Sequence, residues 1–267
     1  MKSIKELISL SGRTALITGG AGHVGYAISE ALAESGCDIF LLDINQELAG
    51  QKAEQLSRTF GVHAYPLIKD LSDDGDIRFI PQSIAQTAGR LDIIVHCAAL
   101  VGTSQLKGWA VAFAQQDVDT FRQALEVNLT SCFQLTQMCL PLLKASKKAS
   151  IINIASIYGV VGPDMGLYEG TSLGNPAGYS ASKGGLVQLT RWMATSLAPD
   201  IRVNAISIGG IYRGHQDPFL SRYTQRTPLK RMAKEEDLKG AALYLASDLS
   251  AYVTGHNLMV DGGWTAW

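Results

Sequence analysis

Apolar and polar positions along the chain alternate between two periods. The run Arg13–Thr18 is nearly all apolar, and after a glycine-rich turn Val24, Ala27, Ile28, Ala31 and Leu32 recur on one helical face. A second apolar run, Asp38–Asp43, follows, and the alternation then repeats. It predicts a helix near Gln46–Phe60, a strand over Val62–Ile68, a helix capped by Asp73-Asp74-Gly75-Asp76 and a strand over Leu91–Cys97. Beyond a loop-like segment, Val101–Asp119, it predicts a long helix over Thr120–Ala145 and a strand over Ser150–Ala155 ending at Ser156. A helix over Gly178–Ala198 and a sixth strand over Ile201–Ile206 complete the pattern. Apolar strands alternating with helices predict an α/β fold, a parallel sheet covered on both faces. Ligands bind at the carboxyl ends of such strands, where Gly19, Asp43, Asp70, Ala98, Ser156 and Gly209 fall.

Composition narrows the class. The 267 residues are 46% hydrophobic and 18% charged, which suits a chain with a large core and argues against disorder. A net charge of −1 gives no electrostatic case for nucleic acid or an acidic membrane surface. Cys37, Cys97, Cys132 and Cys139 lack metal-ligand spacing, and their apolar neighbours predict buried thiols in a reducing compartment. No apolar run reaches signal-peptide or membrane-crossing length, so the expectation is a soluble cytoplasmic protein with neither metal nor membrane partner.

Three features carry candidate chemistry. Strand, glycine-rich turn, helix and strand ending in Asp43 are the order needed for a dinucleotide: glycines admit a pyrophosphate at the helix N-terminus, and a carboxylate accepts from ribose hydroxyls. Asp43 lies 18 residues after Gly25. Tyr179 and Lys183 share a helix face at i, i+4, where an ammonium could lower a phenol's pKa toward the useful range. Alone, that spacing reads as a surface pair, and Tyr65/Lys69 repeats it across Pro66, where a helix is disfavoured. Third, Asn128 sits mid-helix, where Asn is a poor choice unless it bends the helix, faces solvent or serves a site. The polar, Gly/Pro-containing stretch from Ser156 to Tyr179 reads as a long functional loop.

Taken in order, Thr18-Gly-x-x-x-His-x-Gly25, Asp43, Asp70-Leu71, Asn128-Leu-Thr, Ser156, Tyr179-x-x-x-Lys183, Arg202-Val-Asn-Ala-Ile-Ser and Tyr252-Val-Thr-Gly-x-x-Leu-x-Val-Asp-Gly-Gly263 resemble the short-chain dehydrogenase/reductase superfamily over nearly the whole chain. The resemblance implies a single Rossmann-like domain over residues 1–267, with a seven-stranded parallel sheet and a homotetramer or homodimer. It implies that Tyr179 is the acid/base, that Lys183 lowers its pKa and holds the nicotinamide ribose, that Ser156 bonds the substrate oxygen and that Asn128 holds a relay water. Cofactor contacts would come from Gly19, Gly22, His23, Val24 and Gly25, from Asp43, Ile44, Asp70 and Leu71, and from Cys97, Ala98, Ala99, Gly209 and Ile211.

The departures also carry information. His23 stands where the family usually has Gly, Cys97-Ala98-Ala99 replaces the usual sequence after the fourth strand, and Arg213 replaces a Thr that contacts cofactor. The Ser156-to-Tyr179 spacing of 23 exceeds the family's, which marks 165–176 as an insertion near the substrate. A substrate lobe over 209–232 is rich in basic residues. Tyr158, Arg213 and Arg222 are therefore candidate substrate contacts, and the cluster suggests a polar or anionic substrate. The apolar tail 252–267 predicts a subunit interface.

The expectation is thus an NAD-dependent oxidoreductase acting on a secondary alcohol or ketone of a sugar or sugar derivative, possibly phosphorylated or acidic, in a branch resembling those of bacterial surface or flagellar sugar biosynthesis. Asp43, with no basic residue in Ile44-Asn45-Gln46, favours NAD over NADP. The alternatives are a 3-oxoacyl-thioester reductase, or a dinucleotide sensor that does not turn over and has no need of the Asn128, Ser156, Tyr179 and Lys183 set.

Overall fold

The computed structural model describes residues 1–267. Its strands are β1 (Thr14–Thr18), β2 (Asp38–Asp43), β3 (Ala64–Ile68), β4 (Ile93–His96), β5 (Ala149–Ser156), β6 (Ile201–Ile208) and β7 (Asn257–Val260). The helices are α1 (Ile4–Ile8), α2 (His23–Glu34), α3 (Gln46–Phe60), α4 (Asp74–Thr87), α5 (Val118–Leu125), α6 (Ser131–Ser146), α7 (Ala177–Leu197), α8 (Phe219–Arg226) and α9 (Lys239–Ala246). All seven strands lie parallel in the order β3-β2-β1-β4-β5-β6-β7.

Neighbouring residues of one strand feed opposite cores, as a period of two requires. Ile17 packs with Ile28 and Leu32 of α2, Leu56 of α3 and Leu245 of α9. Leu16 packs with Ile77 and Ile80 of α4, Leu135 of α6 and Met193 of α7 on the other face. With both faces covered, β1, β4 and β5 are buried along their whole length. Pro66 cannot donate to a ladder and is tolerated because β3 is an edge strand. Tyr65 therefore lies on a strand, and its Lys69 spacing has no helical meaning.

Two sequence-based boundaries change. The seventh strand, too short and half-buried for periodicity to reveal, is the opposite edge of the sheet. The single helix over Thr120–Ala145 is α5 and α6 joined by a π-helical turn, Glu126–Thr130, with Asn128 fully buried at its centre. Of the three readings of Asn128, facing solvent is excluded by its burial. No helix is long and apolar enough to cross a membrane.

Candidate active site

The carboxyl edge of the sheet carries a cleft whose floor is the turn between β1 and α2. Gly19 has φ 61°, and a Cβ there would lie 2.9 Å from Ala98 Cα. A Cβ on Gly25 would lie 2.2 Å from the Gly19 carbonyl oxygen, so only glycine lets α2 start beneath the turn. Gly22 caps α2 without a side-chain bond, and Val24 turns back into the core. The first amides of the helix thus form a cradle for an anion. Thr18 Oγ1 accepts from the N–H groups of Cys97 and Ala98, both at 3.0 Å, and so fixes the β4 exit, which continues into Ala99, against β1.

Asp43 ends β2 at the side of this cradle. Its carboxylate accepts from Ala21 N at 3.2 Å and Asn45 N at 3.1 Å, and the Ile44 side chain beside it is exposed. At the end of β3, Asp70 accepts from the Ser72 N–H at 2.8 Å, while Leu71 is buried. Gly209 and Ile211 follow β6, and Ile211 is fixed by a bridge to Ala233. The residues present fit a dinucleotide: an anion cradle, a carboxylate for ribose and small residues along the cleft wall.

Ser156, Tyr179 and Lys183 meet beside that cleft. Ser156 ends β5, and its Oγ accepts from Tyr158 N at 3.2 Å. Tyr179 and Lys183 lie in the first turns of α7, with the Lys183 ammonium 5.8 Å from the Tyr179 ring centroid. Lys183 is buried, donates to the Ile154 carbonyl at 2.7 Å, and is held below the ordinary lysine pKa by that burial. Burial pushes the Tyr179 phenol above its ordinary value of 10.0, and Ser156 opposes this through a hydrogen bond. The Lys183 ammonium does not offset that rise. Desolvation dominates, and the ammonium is turned toward Ile154.

Asn128 is held by its side-chain amide. Its Oδ1 accepts from Leu100 N at 2.7 Å, and its Nδ2 donates to Leu100 O and Ser182 Oγ, both at 3.0 Å. Ser182 in turn donates to the Tyr179 carbonyl at 2.7 Å. The side-chain amide thus locks the segment after β4 to the first turns of α7.

The loop 165–176 closes the other side. Tyr168 places its hydroxyl 3.0 Å from that of Tyr158, within electrostatic reach of Tyr179. Leu167 is buried in an aromatic cluster with Phe219, Tyr223 and Trp264, and Tyr223 stacks on Trp264 at 4.5 Å between ring centroids. Arg222 does not point a free guanidinium at the site. Its Nη1 donates to the carbonyls of Gly166, Leu167 and Glu169, at 3.2, 3.4 and 2.6 Å, and Arg226 pairs with Asp164 at 2.9 Å. Arg213 faces Glu235, with 3.6 Å between Nε and Oε1. Sequence reasoning missed Tyr168, Ser182 and Glu235. Tyr168 lay inside a segment already marked as inserted, but no local pattern distinguishes the other two.

A family model described as enoyl-(acyl carrier protein) reductase matches residues 19–265. A tropinone reductase homolog of Arabidopsis thaliana is 32% identical over 265 residues, covering 96% of this chain and 94% of the relative. A 3-oxoacyl-[acyl-carrier-protein] reductase of Thermotoga maritima is 31% identical over 261 residues, covering 95% and 98%. Among solved structures, a gluconate 5-dehydrogenase from Burkholderia cenocepacia in complex with NADP and tartrate superposes with a TM-score of 0.88 at 27% identity, covering 99% of this chain and 100% of that one.

Proposed function

The chain belongs to the short-chain dehydrogenase/reductase family, and from that premise we propose that it interconverts a secondary alcohol and a ketone on a small polyhydroxylated, sugar-like compound, using NAD. The observation that carries the reading is the convergence of Ser156, Tyr179 and Lys183 beside an anion cradle that ends in an acidic residue. When bound, the nicotinamide group accepts or supplies the hydride. Tyr179 Oη exchanges the proton with the substrate oxygen, and Ser156 Oγ holds that oxygen in place. Lys183, anchored on Ile154, keeps one wall of the site in register with α7.

Asp43 supports NAD, because a 2′-phosphate would meet its carboxylate with no basic residue directly following in the chain. The paired hydroxyls of Tyr158 and Tyr168 support a substrate with several hydroxyl groups, as does the likeness to a gluconate 5-dehydrogenase. Arg222 is already engaged by three carbonyls, and a neutral compound suits it better than a phosphorylated or acidic one. The half-buried edge strand β7 and the exposed Tyr252 and Trp267 support self-association through the tail, which light scattering at micromolar concentration checks.

Turnover is tested on polyols, ketoses, their acids and their phosphates, read by NADH absorbance, with Tyr179→Phe as control. Activity on none of them, or equal activity in the control, overturns the reading. The matched family model and the Thermotoga relative favour one second reading, a 3-oxoacyl-thioester reductase. A 3-oxoacyl thioester with NADPH in the same panel separates the two.

A further inference from the structure

We propose that Glu235 is a placeholder for the cofactor's pyrophosphate, holding His23 and Arg213 at the mouth of the anion cradle and releasing them when a dinucleotide enters. The inference rests on the reading that the cleft binds such a cofactor. One oxygen, Glu235 Oε1, lies 3.6 Å from His23 Nδ1 and 3.6 Å from Arg213 Nε. His23 is the first residue of α2, where the helix presents its free amides. Arg213 comes from the far side, five residues beyond the end of β6, and its charge also reaches the Cys97 thiol at the β4 exit. Glu235 thus joins a residue that follows β6 to the first residue of α2, the helix whose N-terminus forms the anion cradle.

The geometry favours exchange over a permanent bond. Both contacts are longer than the roughly 2.7–2.9 Å of a charge-assisted hydrogen bond, so neither is a tight bond. His23 and Arg213 are also substantially exposed, which weakens each contact further. A cavity of about 380 Å³ lies beside Glu235, bounded by Gly22, Tyr26 and Leu48, and leaves the carboxylate room to move. The other charges around it have partners of their own: Lys239 pairs with Glu30 at 2.9 Å, and Lys52 sits 3.9 Å from the Tyr26 ring centroid. A phosphate entering the cradle would take the guanidinium in a bidentate bond and repel the carboxylate it displaces. Glu235 thus keeps both side chains in place in the free protein and sets a ceiling on cofactor affinity.

Calorimetric titration with NAD tests this on the full chain. Glu235→Gln should tighten binding roughly five-fold, the upper range for an exposed ion pair. Arg213→Met should weaken it by roughly ten-fold, and the gain from Glu235→Gln should vanish in that background. Glu236→Gln removes the same charge one residue away and should leave the dissociation constant unchanged. If Glu235→Gln binds NAD no tighter, if Glu236→Gln tightens it equally, or if the gain persists without Arg213, the placeholder is refuted. If wild type binds neither NAD nor NADP, the cofactor reading itself has failed. Thermal melts of each variant identify any loss of fold.

Discussion

The hydroxyl oxygens of Tyr158 and Tyr168 lie 3.0 Å apart, which joins the segment after β5 to the loop 165–176. Burial raises the pKa of both phenols, so both stay neutral and can donate as well as accept. Tyr168→Phe removes one hydroxyl and keeps the ring. KM for a polyhydroxylated substrate should rise roughly three- to ten-fold, the cost of about one neutral hydrogen bond, while a simple secondary alcohol is unaffected. An equal loss on both substrates would make Tyr168 a packing residue only.

Burial sets the pH behaviour of Tyr179. Its pKa lies above the ordinary 10.0, so at neutral pH it is a phenol and suited to protonating a ketone. Oxidation needs the phenolate, so its rate should climb with pH through the alkaline range, while reduction stays flat and then falls. Tyr179→Phe should reduce turnover at least ~10²-fold in both directions and abolish the pH dependence, with NAD binding retained. Stopped-flow rates across the pH series check both, and a near wild-type mutant would remove Tyr179 from the chemistry.

How much of this was legible in the sequence depends on the range of each interaction. Helix Gln46–Phe60 was read to the residue because Asn45 caps it locally and Gly61 ends it in the left-handed region. The cofactor turn and the Tyr179/Lys183 pair were legible because their chemistry demands fixed local spacings. The electrostatics were not, because what Lys183 does depends on Ile154, which lies 29 positions away. The carbonyl partners of Arg222 were illegible for the same reason. A guanidinium in a basic lobe suggests an anion, but folding supplies three carbonyls from the insertion instead.

Arg222 therefore predicts a different mutant phenotype from a substrate ligand. Arg222→Met keeps the stem and drops the bonds to Gly166, Leu167 and Glu169. The insertion should loosen, so limited proteolysis within 165–176 should speed up, and KM should rise alike for neutral and anionic substrates. A loss confined to anionic substrates would restore Arg222 as a ligand.

Asp43 is the residue expected to favour NAD over NADP. Its carboxylate is held by Ala21 N and Asn45 N, which fixes it at the ribose side of the cradle. NAD should bind at least roughly ten-fold more tightly than NADP, as expected for a like-charge contact of about 1.4 kcal/mol. Asp43→Ala should narrow that gap, chiefly by weakening NAD. Equal binding of the two in wild type would transfer the choice to the basic side chains nearby.

The last prediction concerns stability. Asp248 joins three parts of the chain: Arg13 ahead of β1, by a short hydrogen bond, Lys148 ahead of β5 at 3.2 Å and Lys2 at 3.5 Å. Burial alone would raise its pKa, but the bonds and charges of Arg13 and Lys148 outweigh that and lower it from 3.8 to about 2. A carboxyl depressed in the folded state binds its proton first in the unfolded chain. Its contribution, at most about 2 kcal/mol, is therefore full above 3.8 and is lost as pH falls to about 2. Asp248→Asn should lower the urea-unfolding free energy by about 1–2 kcal/mol at neutral pH. The two proteins should converge as the pH falls through that window. A deficit of the same size at both ends would show that Asp248 acts through packing, not charge.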